Sequence, residues 1–475
     1  MSSRRKLLLV IPNQRWLKDD IVTTWNINPR FLCVMGAVVK DLVDVEILDC
    51  QRYALTVENF AQELHKRRPD FVGISILTSE YQEVLDEAAR ISKRELPDVP
   101  VIAGGVHVTM EYERVIANLD IDYACRGEGD LVLRDLLLYL LGKGPEPVTG
   151  WVYRKKGLVF TGPHSIVEDL TALPFPDYSL VDYSDYVISQ QRQGSNRVPE
   201  LPGTTLNIAR GCPCPCTFCQ VASISGKKIR SRSAQQIVEE IEYLRDTYGV
   251  RSIAFYDDNF FLSKKIAKET LALMSQRKVG LKWSAAGFAV FALDDEYLEL
   301  IADSGCTSLN IAIESGNERV LRDLIKKPIK DLKTLPDVIA KIRQKGIDVI
   351  ANFIIGYPGE RWDEIMDTIR YAESCGAHYV KFFVAVPLKG TVMYDMAVEM
   401  DALAFPSQDL KVDWRHAQLK SDEWSERDVS ALRVYEWDRI NFSPERIEDS
   451  ARIWGMTIDE VNLMRQQTRN ALYDS

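Results

Sequence analysis

The feature that most restricts this chain is an alternation, met twice, of short apolar runs with amphipathic helical patterns. In the first stretch the runs are 7–11, 43–48, 71–77, 101–103 and 121–125, and helical periodicity fills 31–42, 57–66, 81–96 and 131–141. In the second the runs are 204–209, 252–255, 281–286, 308–313, 349–355 and 379–386, with helices such as 234–248 and 296–303 between them. Runs apolar throughout bury both faces of a strand, and strands returned by helices lie parallel. The chain is therefore expected to be α/β, with a doubly wound, Rossmann-like sheet over 1–144 and six βα units over 204–400. Six units fall short of the eight that close a full barrel. Pro and Gly break 145–203 into turns around a hairpin at 151–160, and this stretch reads as a connector. The last stretch, 401–475, has helical patterns at 426–440, 444–454 and 458–472.

Directly after the run 204–209 comes Arg210-Gly211-Cys212-Pro213-Cys214-Pro215-Cys216-Thr217-Phe218-Cys219. Cys212, Cys216 and Cys219 have the spacing C-x3-C-x2-C. Three thiolates this close can each take one iron of a cubane, which leaves the fourth iron without a protein ligand. An open corner lets a cluster bind a small molecule as well as pass electrons. The competing reading is a zinc loop, but a closed zinc site takes four ligands, often as two C-x2-C pairs, and no second pair is present. Cys214, flanked by prolines and outside the spacing, reads as inert, with ligand or nucleophile as its alternative. The nine cysteines form no disulfide framework, which fits a reducing cytoplasm. Arg4-Arg5-Lys6 before an apolar run imitates a signal peptide, but the run stops at Pro12 and reads as a buried strand. No apolar stretch approaches the ~18 residues of a membrane span. A net charge of −10, with basic clusters such as Lys227-Lys228-Ile229-Arg230 only local and read as solvated loop, argues against a general nucleic-acid or anionic-membrane binder.

In parallel α/β sheets and barrels, ligands gather at the carboxyl ends of the strands. In the first stretch those ends carry Ser75-Ile76-Leu77, Gly104-Gly105-Val106-His107 and Arg126-Gly127-Glu128-Gly129. Small residues there allow backbone amides to approach a bulky ligand. No G-x-G-x-x-G follows the first strand, so a dinucleotide lacks its usual signature; a sheet that binds nothing is the other alternative. In the second stretch the ends carry Tyr256-Asp257-Asp258-Asn259, Ile313-Glu314-Ser315-Gly316, Ile355-Gly356-Tyr357-Pro358-Gly359-Glu360 and Val384-Ala385-Val386-Pro387. Each has a plainer alternative: Asp257 and Asp258 as helix caps, Glu314 as a partner of Arg319, His107 as a structural histidine.

The cysteine loop strongly resembles that of the radical S-adenosylmethionine (SAM) enzymes, and 204–400 resembles their open six-stranded partial barrel. Ser75, Leu77, Gly104 and Gly105, arranged S-x-L-x26-G-G, are similar to the nucleotide-tail half of cobalamin-binding domains. The other half, D-x-H-x-x-G, is absent: Asp49-Cys50-Gln51 has Gln where that family has its cobalt-ligating His. The chain as a whole resembles the cobalamin-dependent radical SAM enzymes, in particular their methyltransferases.

The resemblance implies a [4Fe-4S] cluster on Cys212, Cys216 and Cys219. It implies contacts to SAM at Phe218, Asp257, Asp258, Glu314, Gly356 and Val386. It implies contacts to cobalamin at Ser75, Leu77, Gly104, Gly105, His107, Gly127 and Glu128, with no His below the cobalt. In such enzymes the reduced cluster splits SAM into methionine and a 5′-deoxyadenosyl radical, which takes hydrogen from an unactivated carbon. Methylcobalamin then delivers a methyl group to a carbon or phosphorus centre of a small molecule, and a second SAM recharges it. An electron donor such as flavodoxin or ferredoxin is the implied partner. Relatives with the same cofactors cyclise or rearrange their substrates instead. The alternative from another class is a non-catalytic iron–sulfur or corrinoid carrier. The helical tail is expected to cover the open side of the barrel, with Arg415, His416 and Tyr435 as candidate substrate contacts.

Overall fold

The computed structural model describes residues 4–17, 28–78, 81–189, 198–329, 331–407, 409–410 and 413–471. The chain divides into two compact units, one of residues 1–194 with 223–226 and 230–232, the other of the remainder.

The first unit is built on a seven-stranded sheet. Five parallel strands, β1 (Lys6–Ile11), β2 (Asp44–Asp49), β3 (Phe71–Ser75), β4 (Val101–Gly104) and β5 (Tyr123–Cys125), lie in the order β2-β1-β3-β4-β5. The order reverses between β1 and β3, the mark of a doubly wound sheet. Helices α1 (Arg30–Val39), α2 (Val57–Arg67) and α3 (Gln82–Glu95) connect the first four, two short helical segments at Val106–Met110 and Tyr112–Ala117 lead from β4 to β5, and α4 (Gly129–Leu140) follows β5. Leu8, Val10, Val72, Ile74 and Leu85 are buried in one core, as expected of strands apolar on both faces. The segment expected to be a connector differs from expectation. Its hairpin, β6 (Trp151–Lys155) and β7 (Leu158–Thr161), joins the sheet antiparallel to β5, with Trp151 opposite Cys125. Trp151 and Val152 are fully buried, so the hairpin covers what would otherwise be the exposed edge of the very short β5. A boundary at 144 therefore cuts through the chain of one sheet.

The second unit holds six parallel strands in chain order: β8 (Gly203–Leu206), β9 (Ser252–Phe255), β10 (Lys282–Phe288), β11 (Cys306–Glu314), β12 (Asp348–Ile355) and β13 (Tyr379–Val384). Helices α5 (Ala234–Tyr248), α6 (Lys264–Gln276), α7 (Asp295–Asp303), α8 (Leu335–Gln344), α9 (Trp362–Ser374) and α10 (Val392–Glu399) alternate with or follow them. Ser233 and Gln236 form a capping box that starts α5, and Gly249 in the left-handed region ends it. The tail is helical as expected, with α11 (Glu426–Asn441), α12 (Ile447–Trp454) and α13 (Ile458–Asn470); position 472, the expected end of the last helix, lies outside the described residues. α11 runs beside β13, the last strand of the sheet. The Asn441 side chain accepts from Val380 N at 2.8 Å and donates to Val380 O at 2.9 Å. It supplies at that residue both bonds that a further strand would make.

Candidate functional site

The cysteine loop is fixed at its entrance by the turn after β9. Asp257 Oδ1 accepts from Ile208 N at 2.5 Å and from Ala209 N at 2.6 Å, and Asp258 Oδ2 accepts from Gly211 N at 2.9 Å. Asn259 Nδ2 donates to Cys212 Sγ at 3.4 Å. Aromatic packing makes this turn rigid: Phe260 and Phe261 are buried, and Phe261 stacks on Trp283 with ring centroids 5.6 Å apart. The backbone leaves β8 after Leu206 to meet these carboxylates, so the run expected to continue to 209 stops short. Asp257 and Asp258, expected at the SAM amino group, spend these oxygens on the chain's own backbone, and neither of them caps a helix.

The far side of the loop is fixed at Thr217. Its Oγ1 donates to Leu324 O at 2.6 Å and shares a 2.6 Å hydrogen bond with Tyr357 OH. Thr217 N donates to Ile325 O at 3.0 Å, and Met393 N donates to Thr217 O at 2.9 Å. Leu324 and Ile325 end a π-helical turn, Val320–Ile325, after which Lys326 adopts the left-handed region at φ 58°. That backbone brings Lys327 to Glu314, Nζ to Oε1 at 2.9 Å, with both side chains buried. Glu314 itself sits at φ 74°, where a non-glycine residue is strained, and such strain gathers at functional sites. Burial works against the Lys327 ammonium, but Glu314 and the Cys216 sulfur outweigh it and hold its pKa above the usual lysine value. Arg319, the alternative partner for Glu314, pairs with Glu364 at 2.5 Å instead. Lys327 was not foreseen, because a π-helical turn leaves no signal in hydrophobic periodicity.

The spacing of the thiols suits an iron–sulfur cluster, and two of the three favour the thiolate that binds metal. A hydrogen bond from the Cys214 thiol lowers Cys212 to about 6 and lowers Cys216 as well, whereas burial pushes Cys219 the other way, up to about 11. Among the described residues no three His, Cys, Asp or Glu side chains converge on one point as a single ion would need. A cubane has no such need, because it spreads three thiolates over three irons. Of the other residues expected at SAM, Phe218 is half-buried and Val386 is buried. Gly356 has φ 78°, and a Cβ there would lie 2.8 Å from Val429 Cγ1, so its missing side chain makes room for α11. Glu360 closes that turn by accepting from Tyr357 N at 2.8 Å, and burial pushes its carboxyl up to about 8.

In the first unit Ser75 and Gly104 are paired at adjacent strand ends, and Leu77 is half-buried just beyond. Among the described residues Thr78 Oγ1 has no hydrogen-bond partner and is shut off from solvent, and a Cβ on Gly104 would meet nothing closer than Cys125 at 3.8 Å. An orphaned hydroxyl beside an open glycine fits a polar ligand such as the cobalamin tail. Gly105 and Gly127 serve the chain itself. At φ 110° and 107°, a Cβ would collide with Ile76 O at 2.1 Å and with Ser165 O at 2.2 Å. His107 is buried and its Nε2 bonds to Gln82 Oε1. Glu128 is also committed: Arg230 reaches its two oxygens at 2.7 and 2.9 Å, and Val167 N donates to it at 2.7 Å. The Glu128 carboxylate, expected at cobalamin, is thus engaged by its own unit.

Residues 206–372 match the radical SAM superfamily and residues 27–137 match the B12 binding domain. The chain is 30% identical over 370 residues to cytidylyl-2-hydroxyethylphosphonate methyltransferase of Streptomyces wedmorensis, covering 72% of this chain and 68% of that one. It is 29% identical over 414 residues to an uncharacterized methyltransferase of Pyrococcus horikoshii, covering 86% and 85%. In fold it is similar to the cobalamin-dependent S-adenosylmethionine radical enzyme OxsB, solved with aqua-cobalamin and S-adenosylmethionine bound. That likeness has a TM-score of 0.75 at 14% identity, over 98% of this chain and 72% of that one. The chain belongs to the cobalamin-dependent radical SAM enzymes. Its cofactors are a [4Fe-4S] cluster, SAM and cobalamin.

Proposed function

We propose that this enzyme transfers a methyl group to an unactivated carbon, or to a phosphorus centre, of a small molecule. The observation that carries the reading is the three-thiol loop braced on both sides, with the buried Lys327–Glu314 pair beside it. The bound cofactors supply reducing power, a radical source and the methyl group; the protein supplies position and charge. Cys212, Cys216 and Cys219 hold the cluster. Asp257, Asp258 and Thr217 keep their loop from shifting as ligand enters. Lys327 offers an ammonium to the SAM carboxylate, and Glu314 offers acceptors to its amino group or ribose. Ser75, Thr78 and the open backbone at Gly104 contact cobalamin.

A low-potential donor such as flavodoxin or ferredoxin, in the cytoplasm, completes the scheme. No helix among the described residues is long and apolar enough to cross a membrane. The test is anaerobic reconstitution with SAM, reductant and candidate small molecules, followed by nucleoside analysis. Methyl transfer yields S-adenosylhomocysteine together with 5′-deoxyadenosine. A cyclising or rearranging enzyme yields 5′-deoxyadenosine without S-adenosylhomocysteine, and a carrier yields neither.

A further inference from the structure

The C-terminal region of the second unit carries a charge that the scheme above leaves unused. α11 starts on the turn that follows β12: Val429 packs against Gly356, and Trp424 Nε1 donates to Glu360 O at 2.9 Å. Arg433 follows Val429 by four residues, and side chains so spaced share one face of a helix. Among the described residues Arg433 makes no hydrogen bond, and its Nε is closed off from solvent. Burial pulls its pKa down to about 10, against a weaker pull from the Asp413 charge.

Asp413 is already occupied. Its Oδ1 takes Arg415 Nε at 3.1 Å, and its Oδ2 takes His416 Nδ1 at 2.8 Å and Arg415 Nη2 at 3.4 Å. The loop that carries these residues is tied to α11, with Ala417 N donating to Ser430 Oγ at 2.8 Å. One carboxylate is thus taken up by one guanidinium and one imidazole, and the more deeply placed guanidinium, Arg433, feels its charge without a hydrogen bond to it. Buried polar groups are almost always satisfied, and a buried charge needs a counter-charge. The guanidinium fork matches the paired oxygens of a carboxylate or phosphate, and such charge-assisted bonds are strong.

We propose that Arg433, with Arg415 near it, binds an anionic head group, a carboxylate or a phosphate, of the small-molecule substrate. That this ligand is the substrate rests on the methyl-transfer reading; the anion site does not. The site lies one helical turn from Gly356, so it would anchor the end of a ligand that reaches toward the turn after β12.

The test uses the full chain with cluster and cobalamin reconstituted. Thermal unfolding is followed with rising inorganic phosphate or acetate, against potassium chloride at matched ionic strength. Phosphate or acetate is expected to raise the Tm of the unsubstituted protein, and R433M is expected to bind the anion at least about tenfold more weakly, with R433K intermediate. A larger effect of phosphate supports a phosphorylated head group, and a larger effect of acetate a carboxylated one. No rise with either anion, or an equal rise in R433M, overturns the proposal. Should R433M fail to fold, phenylglyoxal labelling of the unsubstituted chain decides. Protection of Arg433 by either anion, read by peptide mass spectrometry, supports the site, and unchanged labelling overturns it. Neither measurement needs turnover. Anion binding without S-adenosylhomocysteine formation keeps the site and removes the methyl-transfer reading, and the opposite result removes the site alone.

Discussion

The two sheets present their strand ends in opposite ways. In the second unit the polar residues after the strands build a cage: Asp257, Asp258 and Asn259 grip one end of the cysteine loop, Thr217 and Tyr357 the other, and Lys327 and Glu314 bring two buried charges. In the first unit the conspicuous polar residues are turned inward. Glu128 is held by Arg230 and Val167, His107 by Gln82, and Gly105 and Gly127 admit the chain's own carbonyls. Among the described residues the uncommitted features are modest: Ser75, the Thr78 hydroxyl and the space at Gly104. A charged, reactive ligand set calls for fixed charges, whereas a large prefabricated cofactor with its own reactive centre calls mainly for room and a few hydrogen bonds.

Four measurements press on that contrast. The largest effect is expected from replacing Cys212, Cys216 and Cys219 together by alanine: iron and sulfide should fall to background and SAM cleavage should vanish, while bound corrin persists. C214A should keep its iron. Loss of corrin along with iron in the triple variant would erase the contrast between the units.

Next comes the buried pair. K327M strands the Glu314 carboxylate and should cost about 3–5 kcal/mol of stability, the usual effect of breaking a buried ion pair, read by denaturant titration. The double variant K327M/E314Q should recover much of that stability and still bind SAM weakly, measured by equilibrium dialysis. Full SAM affinity in the double variant would reduce the pair to scaffolding.

In the first unit R230M should destabilise by a similar or smaller amount, about 3 kcal/mol, yet leave the corrin stoichiometry unchanged. If corrin is lost in proportion from protein that is still folded, Glu128 serves the cofactor after all.

The smallest effect concerns Glu360. Its carboxyl is raised to about 8 by burial, so the folded state binds a proton that the unfolded state has released. That stability is fully present below the unfolded value near 4.5 and is lost as pH rises through about 8. E360Q should flatten the decline in Tm across that window, and a slope equal to that of the unsubstituted protein would show that the carboxyl is already ionised at neutral pH.

The alternation of apolar runs and helices was enough to place both sheets, because strands buried on two faces announce themselves by composition alone. The hairpin at 151–161 was visible, but its pairing with β5 was not, since nothing local says which edge a hairpin will cover. The cysteine loop was legible from spacing. Its supports were legible only as positions: Asp257 and Glu314 stand at strand ends, but which atoms they meet is fixed by contacts remote in sequence. Lys327 escaped because a π-helical turn and a left-handed residue shift its register away from any helical pattern. Glu128 misled for the converse reason: a strand-end carboxylate looks available until Arg230, distant along the chain, is folded onto it.

The amide of Asn441 on Val380 has a consequence for how the protein survives at cellular concentration. The last strand of an unclosed sheet leaves main-chain groups open to any extended segment that meets it. At Val380 both groups are already taken by one side chain, so edge-to-edge pairing has no foothold at that residue although the sheet stays unclosed.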